Sequence, residues 1–276
     1  MSAAIRKPTE PDMVRIDDKK DPVELFAQSI IRLAREHPPS QKPFFHRLAA
    51  LPSESAHDPV MLGQIYLVYQ AAMHATRVGV YFMPYLDSPA LRRRKLRVYI
   101  DDDGLPSDDM HHYQLSRAFR GIGAALPLED EEFGDLDELC SRLDSGTAHF
   151  VRLAKSLYSR SLGAWCIVEV LSSEWMHALA DALAVHHPQF ASEPYFEECF
   201  SQGVEERHAA EALEVTQTVL RQRPHLIEDT LRDAQLMADG LDSVWDRLDL
   251  VVRDAIWGNR QDVAGETELA GGAPRL

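Results

Sequence analysis

The spacing of apolar residues constrains this chain more than any other feature. Apolar residues recur at intervals of three and four along nearly the whole sequence, which is the period of a helix with one buried face. In "DPVELFAQSIIRLAREH", for example, Leu25, Phe26, Ile30 and Leu33 fall on one side. No stretch alternates apolar and polar residues for the length of a strand. The sequence therefore predicts an all-α fold, a bundle of about seven helices around one core.

Capping and breaking residues predict where these helices begin and end. Asp21-Pro22 and Asp58-Pro59 combine a side-chain cap with a proline suited to the first helical turn. The acidic stretch "LPLEDEEFGDLDE" is interpreted as a linker or a short helical turn. The predicted helices then cover about 21–37, 58–82, 88–103, 107–124, 144–185, 193–223 and 225–257.

The two ends of the chain lack this periodic pattern. Residues 1–20 are polar, and residues 258–276 are rich in Gly and Ala. We expect both ends to be disordered, because neither can bury enough apolar surface to offset the entropy lost on folding. Residues 21–257 are predicted to form a single helical domain.

The charge balance argues against two classes of partner. The formal net charge is −15, so nucleic acid and anionic membranes are not expected to bind. The basic run Arg92–Lys95 is a local exception, interpreted as the solvated face of a helix. The most apolar stretch, "IYLVYQAAMHATRVGVYFMPYL", carries His74 and Arg77 in its middle, which indicates a buried core helix rather than a membrane span.

Cysteine usage indicates a reducing compartment. The three cysteines, Cys140, Cys166 and Cys199, are far apart and form no Cys-x-x-Cys pair. A disulfide scaffold or a zinc ribbon is therefore not predicted. The N-terminal segment has no apolar core of the kind that a secretory signal requires. These observations together predict a cytoplasmic protein.

Glu169 is the most informative candidate for chemistry. It lies in "LGAWCIVEVLSSEW", where its neighbours are apolar on nearly every side of the helix. A buried carboxylate without compensation costs several kcal/mol, so it must be paired, protonated or bound to a metal. An ion pair or a hydrogen bond to a facing helix and metal ligation both remain open at this point.

"YFEECFSQGVEERHAAEAL" is interpreted as one helix that carries a second candidate group. Glu205 and His208 are three residues apart and leave the same helical face, as in bundles that hold iron or manganese. Ser201, four residues before Glu205, stands where a third ligand is expected. An exposed Glu–His pair is the ordinary alternative, and His111-His112 and His74 have ordinary readings as a helix start and a core histidine.

Three segments in this order resemble the haem-oxygenase-like di-iron oxidases and oxygenases. The residues concerned are "RRRKLRVYIDDDGLPSDDMHHYQLSRAFRGIGA", "SLGAWCIVEVLSSEW" and "YFEECFSQGVEERHAAEAL", within about residues 30–225. The order and spacing of the segments carry the resemblance, since no single motif is tight. The same fold family includes thiaminase-type and pyrroloquinoline-quinone-synthase-type enzymes and a Chlamydia protein that associates with death domains.

The resemblance implies a ligand set when it is carried over residue by residue. The first acid falls on Asp102, with Asp101 and Asp103 as alternatives, and the first histidine on His112, with His111 as the alternative. The middle glutamate falls on Glu169. The last helix would offer Ser201, Glu205 and His208, where the family pattern is His, then an acid, then His. Glu169 and His208 would also be the catalytic pair.

Several positions depart from the family pattern. Serine replaces the histidine at Ser201, Glu replaces Asp at Glu205, and Asp replaces Glu at Asp102. A hydroxyl is a poor ligand for ferrous iron compared with an imidazole, so the set suits one metal ion better than two. We therefore expect at most about one tightly held equivalent of iron or manganese.

The resemblance also implies a function. It indicates a non-haem iron-dependent oxidase or oxygenase that uses O2 on a small molecule resembling an amino acid or a fatty acid, in a protein that can form homodimers. Tyr66, Tyr69, Met73 and Tyr81 either line its pocket or belong to the plain core. The alternative is a metal-free member of the same fold, either a cofactor-less enzyme or a small-molecule-binding protein, in which Glu169 and His208 act as a hydrogen-bonding or acid–base pair.

Overall fold

Helices form nearly all of the structure. The computed structural model describes residues 21–102, 111–200 and 203–269, and none of these residues belongs to a strand. The predicted all-α class is therefore confirmed. The segment 1–20, predicted to be disordered, and residues 270–276 of the predicted tail lie outside the described residues.

The helices are numbered here in chain order. The short ones, α2, α3, α7 and α10, fill connections between the long ones, and 3-10 turns in the described residues join several of them. Their bounds are α1 Pro22–Glu36, α2 Pro43–Ala49, α3 Ser53–Ala56, α4 Pro59–Gly79, α5 Pro89–Asp102, α6 His111–Gly121, α7 Leu136–Arg142, α8 Ser145–Arg160, α9 Gly163–Ala184, α10 Pro194–Phe200, α11 Val204–Gln222 and α12 Ile227–Leu269. The expected number of about seven was therefore too low.

The predicted caps are confirmed at both Asp-Pro sites. The Asp21 carboxylate accepts a hydrogen bond from the Val23 backbone N–H at 3.0 Å. Asp58 accepts hydrogen bonds from the backbone N–H groups of Val60 and Met61 at 2.8 and 3.2 Å. Each cap satisfies donors that the first helical turn leaves without a partner, so these helix starts follow from local sequence alone.

The single helix predicted over 144–185 is wrong, because the chain divides it into α8 and α9. Ser161 has extended backbone angles, and α9 begins at Gly163. At Gly163 an added Cβ would lie 1.9 Å from the carbonyl oxygen of Thr230. The break therefore lets α9 pack directly against the backbone of α12, a contact that the local sequence does not reveal.

The helix predicted through "YFEECFSQGVEERHAAEAL" is also divided. Gly203 has a left-handed backbone with φ of +65°, and it separates α10 from α11. A left-handed residue ends one helical path and starts another, and glycine adopts that conformation without a steric cost. Glu205 therefore lies in the first turn of a new helix, α11, and Ser201 lies outside the described residues.

The C-terminal helix continues beyond the end expected from the sequence. α12 extends to Leu269, whereas the apolar pattern ends near Trp257. The additional residues include Gln, Glu, Ala and Arg, which have high intrinsic helix propensity. The sequence-based end near Trp257 was placed where the apolar pattern stops. Residues of high helix propensity can continue a helix beyond that point without an apolar face.

The core lies around α9, which packs most extensively against α12 and α11. Trp175 of α9 and Trp245 of α12 are fully enclosed, with ring centroids 6.0 Å apart. None of the described helices is long and apolar enough to cross a bilayer. The helix predicted as a buried core element, α4, is buried along most of its length.

The interpretation of Arg92–Lys95 as a solvated face is wrong at its last residue. Lys95 is fully buried, whereas Arg93 is exposed and the other two arginines are half-buried. The Lys95 ammonium donates to the Phe82 carbonyl at 2.5 Å and lies over the rings of Tyr158 and Trp165 at 5.7 and 5.2 Å. The structure thus places an internal cation close to the candidate site.

Candidate metal centre

Three of the candidate ligands come together inside the bundle. Glu169 projects from α9, and Glu205 and His208 project from the first turns of α11. One ligand atom from each lies within 4.8 Å of the other two. Their exposed fractions are only 6%, 3% and 3%, so water compensates little of their polarity. Glu169 is thus buried, as its apolar neighbours predict.

Glu205 is held by a neighbouring hydroxyl. Ser172 of α9, three residues beyond Glu169, donates to Glu205 Oε2 at 2.5 Å. Burial raises the pKa of Glu205, and the hydrogen bond from Ser172 and the nearby His208 oppose that rise. Its other oxygen, Oε1, is buried and has no hydrogen-bond partner among the residues that the structure describes. That oxygen needs a proton or a cation.

Two cationic or potentially cationic groups act on Glu169. Its Oε2 is 4.0 Å from His208 Nδ1, too far for a hydrogen bond but within reach of a shared ion. The charge of Lys95 also acts on it. Burial lowers the pKa of Lys95 to about 7, and the charge of Glu169 opposes that shift. Metal ligation and the charge of Lys95 are therefore two ways of compensating this carboxylate.

The cluster borders a small inner cavity of about 40 Å³. This volume holds only a few water-sized molecules. Its polar and apolar walls are formed by Glu169, Glu205, Ser172, His111, Tyr195, Thr76, Arg77, Met73, Val80, Tyr158, Val168, Trp175 and Met176. His208 instead lines a surface cleft between α5 and α11, so the cluster lies between the inner cavity and that cleft.

The histidine that reaches the inner cavity is His111, which the sequence treats as the alternative to His112. His111 lines the cavity and lies with Nδ1 3.9 Å from Cys199 Sγ. His112 faces a different cavity, where its ring contacts Phe133 and its Nε2 is 3.4 Å from Asp130. Adjacent helical residues point about 100° apart, so only one of the pair can face the cluster. The geometry favours His111 over His112 at this position.

Two further candidate positions lie outside the described residues. One is the first acid: the structure does not describe the side chains of Asp101 and Asp102, at the end of α5, or any part of Asp103. The other is Ser201. The other pocket candidates divide between sites. Met73 lines the inner cavity, Tyr81 lines the cavity that His112 faces, and Tyr66 and Tyr69 belong to the core.

The donor set fits a single ion such as iron or manganese. Metal–ligand bonds of about 2.0–2.2 Å place opposite ligands about 4 Å apart, so a spread of 4.8 Å requires only small side-chain adjustments. Two carboxylates and one imidazole match the ligands that helical bundles use for these metals. The buried Glu205 Oε1 without a hydrogen bond is the feature that such an ion would satisfy.

Sequence reasoning missed three residues that shape this site. Lys95 lies in a run predicted to be solvated, Arg77 serves in the sequence only to exclude a membrane span, and Ser172 is marked only by its position. Ser172 is three residues after Glu169 and therefore shares its helical face, which is the one clue that the sequence contained. Comparison of the chain with protein-family models and with curated proteins finds no match in either.

Proposed function

We propose that the protein is a non-haem iron-dependent oxidase or oxygenase with a haem-oxygenase-like bundle, acting on a small molecule. Glu169, Glu205 and His208 would hold one ion, iron or manganese. The observation that carries the proposal is their convergence from two helices into one buried cluster. A bound cation would compensate all three of these buried groups at once.

The residues around the cluster have separable roles in this proposal. The two carboxylates neutralise the positive charge of the ion, and the His208 imidazole contributes a nitrogen donor. Ser172 fixes the orientation of Glu205 through its hydrogen bond. Val168, Trp175 and Met176 exclude bulk water from the inner cavity. The bound ion would supply one-electron chemistry and activation of dioxygen.

The size of the donor set supports one tightly held ion rather than two. The described part of the chain contains one group of His, Cys, Asp or Glu side chains with metal-binding spacing. Protein expressed with added iron and then dialysed should retain at most about one equivalent of iron or manganese by elemental analysis. Two retained equivalents would contradict the single-ion proposal, and none in any metal supplement would contradict metal binding.

A serine-to-histidine change tests the family register. If Ser201 occupies the histidine position that the resemblance implies, Ser201→His should raise metal occupancy above that of the wild type. Ser201→Ala is the matched control and should leave occupancy unchanged. Equal occupancy in all three proteins would show that residue 201 does not face the cluster.

A metal-free member of the same fold is the second candidate function, and Lys95 is the observation that favours it. The charge of the buried Lys95 acts on Glu169 and would compensate that carboxylate without any metal. In this case Glu169 and His208 would bind or protonate a small molecule directly. Retention of fold and ligand binding by protein treated with chelator, together with no metal uptake, would favour this alternative.

A further inference from the structure

Arg77 of α4 lies at a junction between two cavities and has no anionic partner in the part of the chain that the structure describes. It lines both the inner cavity and a larger one, here called the outer cavity, of about 230 Å³. Among the described residues, none forms an ion pair with Arg77 or accepts a hydrogen bond from it. A half-buried guanidinium without a partner carries five donors that only water or a ligand can satisfy.

The carboxylate that lines the outer cavity has hydrogen-bond partners other than Arg77. It belongs to Asp130, which accepts hydrogen bonds from Tyr66 and Ser116 and lies 3.6 Å from the exposed Arg120. Arg120 itself pairs with Glu129 at 2.6 Å. Arg77 is therefore the charged residue of the outer cavity that lacks a polar partner among the described residues, and its one guanidinium suits one carboxylate.

The remaining walls of the outer cavity are largely aromatic. Tyr81 and Tyr99 form a pair with ring centroids 4.5 Å apart, and the ring of Phe133 lies 5.2 Å from that of His112. Aromatic walls favour a planar ring, which can stack or present an edge at little conformational cost. The volume is smaller than the roughly 300 Å³ at which pockets for drug-sized ligands begin. About one ring therefore fits.

We propose that the outer cavity binds a small aromatic monocarboxylate, whose carboxylate is held by Arg77 at the boundary with the inner cavity. The planar guanidinium matches a carboxylate in two parallel hydrogen bonds, which fixes the orientation of the ligand as well as its position.

This inference deepens the proposed function by naming its substrate class, but its test does not need a metal. Binding of benzoate to chelator-treated protein is measured separately from metal content. Benzoate binding without metal uptake would leave the carboxylate site standing and contradict the oxidase. Metal uptake without benzoate binding would contradict the carboxylate site and leave the proposed oxidase standing.

In the experiment, benzoate is titrated into the protein, and its binding is measured by ligand-observed NMR and by calorimetry. Benzyl alcohol, which keeps the ring and lacks the charge, and inorganic phosphate, which keeps the oxyanion and lacks the ring, are titrated in parallel. Benzoate should bind saturably and at least tenfold more tightly than either. Equal binding of benzyl alcohol would overturn the role of the charge, and tighter binding of phosphate would overturn the carboxylate.

Substitution then tests the residue. Arg77→Met keeps the apolar stem and removes the charge, and it should weaken benzoate binding at least tenfold while leaving benzyl alcohol binding unchanged. The matched control is Arg93→Met, at an exposed position on α5, which should bind benzoate as the wild type does. Wild-type affinity in folded Arg77→Met would overturn the proposal.

A second variant covers the case in which Arg77→Met does not fold. Tyr81 is 57% exposed, so Tyr81→Leu should leave the fold intact while it removes one aromatic wall. It should weaken the binding of benzoate at least threefold and change the binding of cyclohexanecarboxylate less. Unchanged benzoate affinity in Tyr81→Leu would exclude the outer cavity as the site.

Discussion

At the scale of single residues, Glu169 distinguishes the metal-binding interpretation of the site from the metal-free one. Its carboxylate is buried and clusters with His208 and Glu205, and the charge of Lys95 also acts on it. In a low-dielectric interior the charge of a carboxylate must be compensated by whichever cation lies close. A metal ion and Lys95 can each do this, and the two cases respond differently to substitution.

Glu169→Ala separates these two cases. If Glu169 is a ligand, we expect metal affinity to fall at least tenfold, because the cluster loses one of two anions, while the fold survives. If Glu169 mainly pairs with Lys95, its removal strands a buried cation and should cost about 3–5 kcal/mol of the free energy of unfolding. Thermal melts with iron and with chelator distinguish the outcomes.

The control for this change is Asp181→Ala, at an exposed position on the same helix as Glu169. It should alter neither metal affinity nor the melting temperature appreciably. A Glu169→Ala protein that is destabilised equally in iron and in chelator, compared with a wild type indifferent to metal, would contradict the metal site.

Lys95 predicts a pH dependence of stability. Its pKa is about 7 in the folded protein and 10.5 in its ordinary state, so between these values the unfolded chain binds more protons. The free energy of unfolding should therefore rise with pH across this window, by up to about 1.4 kcal/mol per pH unit from this group. Lys95→Met should lose that rise. Urea unfolding at pH 7 and at pH 9, in the presence of chelator, measures the free energy of unfolding of both proteins. An equal change of that free energy with pH in the wild type and in Lys95→Met would refute the prediction.

At the scale of helices, two glycines position the candidate centre. Gly163 lets α9, which carries Glu169, approach the backbone of α12, and Gly203 starts α11 immediately before Glu205. Both positions exclude a side chain, the first through contact and the second through a left-handed backbone. The spacing of the ligands therefore depends on helix breaks rather than on helix length.

Gly163→Ala should destabilise the protein by about 2–3 kcal/mol, because its Cβ would overlap the Thr230 carbonyl and force α9 away from α12. Gly121→Ala is the matched control, since an added Cβ there meets nothing within 4 Å, and we expect a change below about 0.5 kcal/mol. Chemical unfolding measures both. Equal stability of the two variants would show that the α9–α12 contact adjusts freely.

At the scale of the whole molecule, α12 joins the bundle together. It packs against α1, α2, α4, α8 and α9. Trp245 lies at the meeting point, with ring centroids 5.3 Å from Phe45, 6.5 Å from Tyr69 and 6.0 Å from Trp175. Since these rings belong to four helices, we expect the described core to unfold as one cooperative unit.

Trp245→Ala should lower the free energy of unfolding by about 3–5 kcal/mol and leave a single transition with an unchanged slope in urea. Leu236→Ala, at an exposed position on the same helix, should cost less than about 1 kcal/mol. Circular dichroism and tryptophan fluorescence recorded together measure these values. Two separate transitions in the wild type would contradict a single core around Trp245.

The sequence by itself determined the local features. Helical period, the caps at Asp21 and Asp58, and the burial of Glu169 depend on neighbours within one or two turns of the same chain segment, so periodicity and residue type were sufficient. The all-α class follows from the same short-range pattern.

Tertiary structure alone decided where the helices break and which side chains meet. The break before Gly163 reflects a contact with Thr230, 67 positions away, and the burial of Lys95 reflects the rings of Tyr158 and Trp165 on other helices. Tertiary packing likewise decides which of His111 and His112 faces the cluster. It also decides that Arg77 has no anionic partner among the described residues. Such contacts join residues far apart in sequence, and a local pattern carries no information about the surface that a distant helix will present.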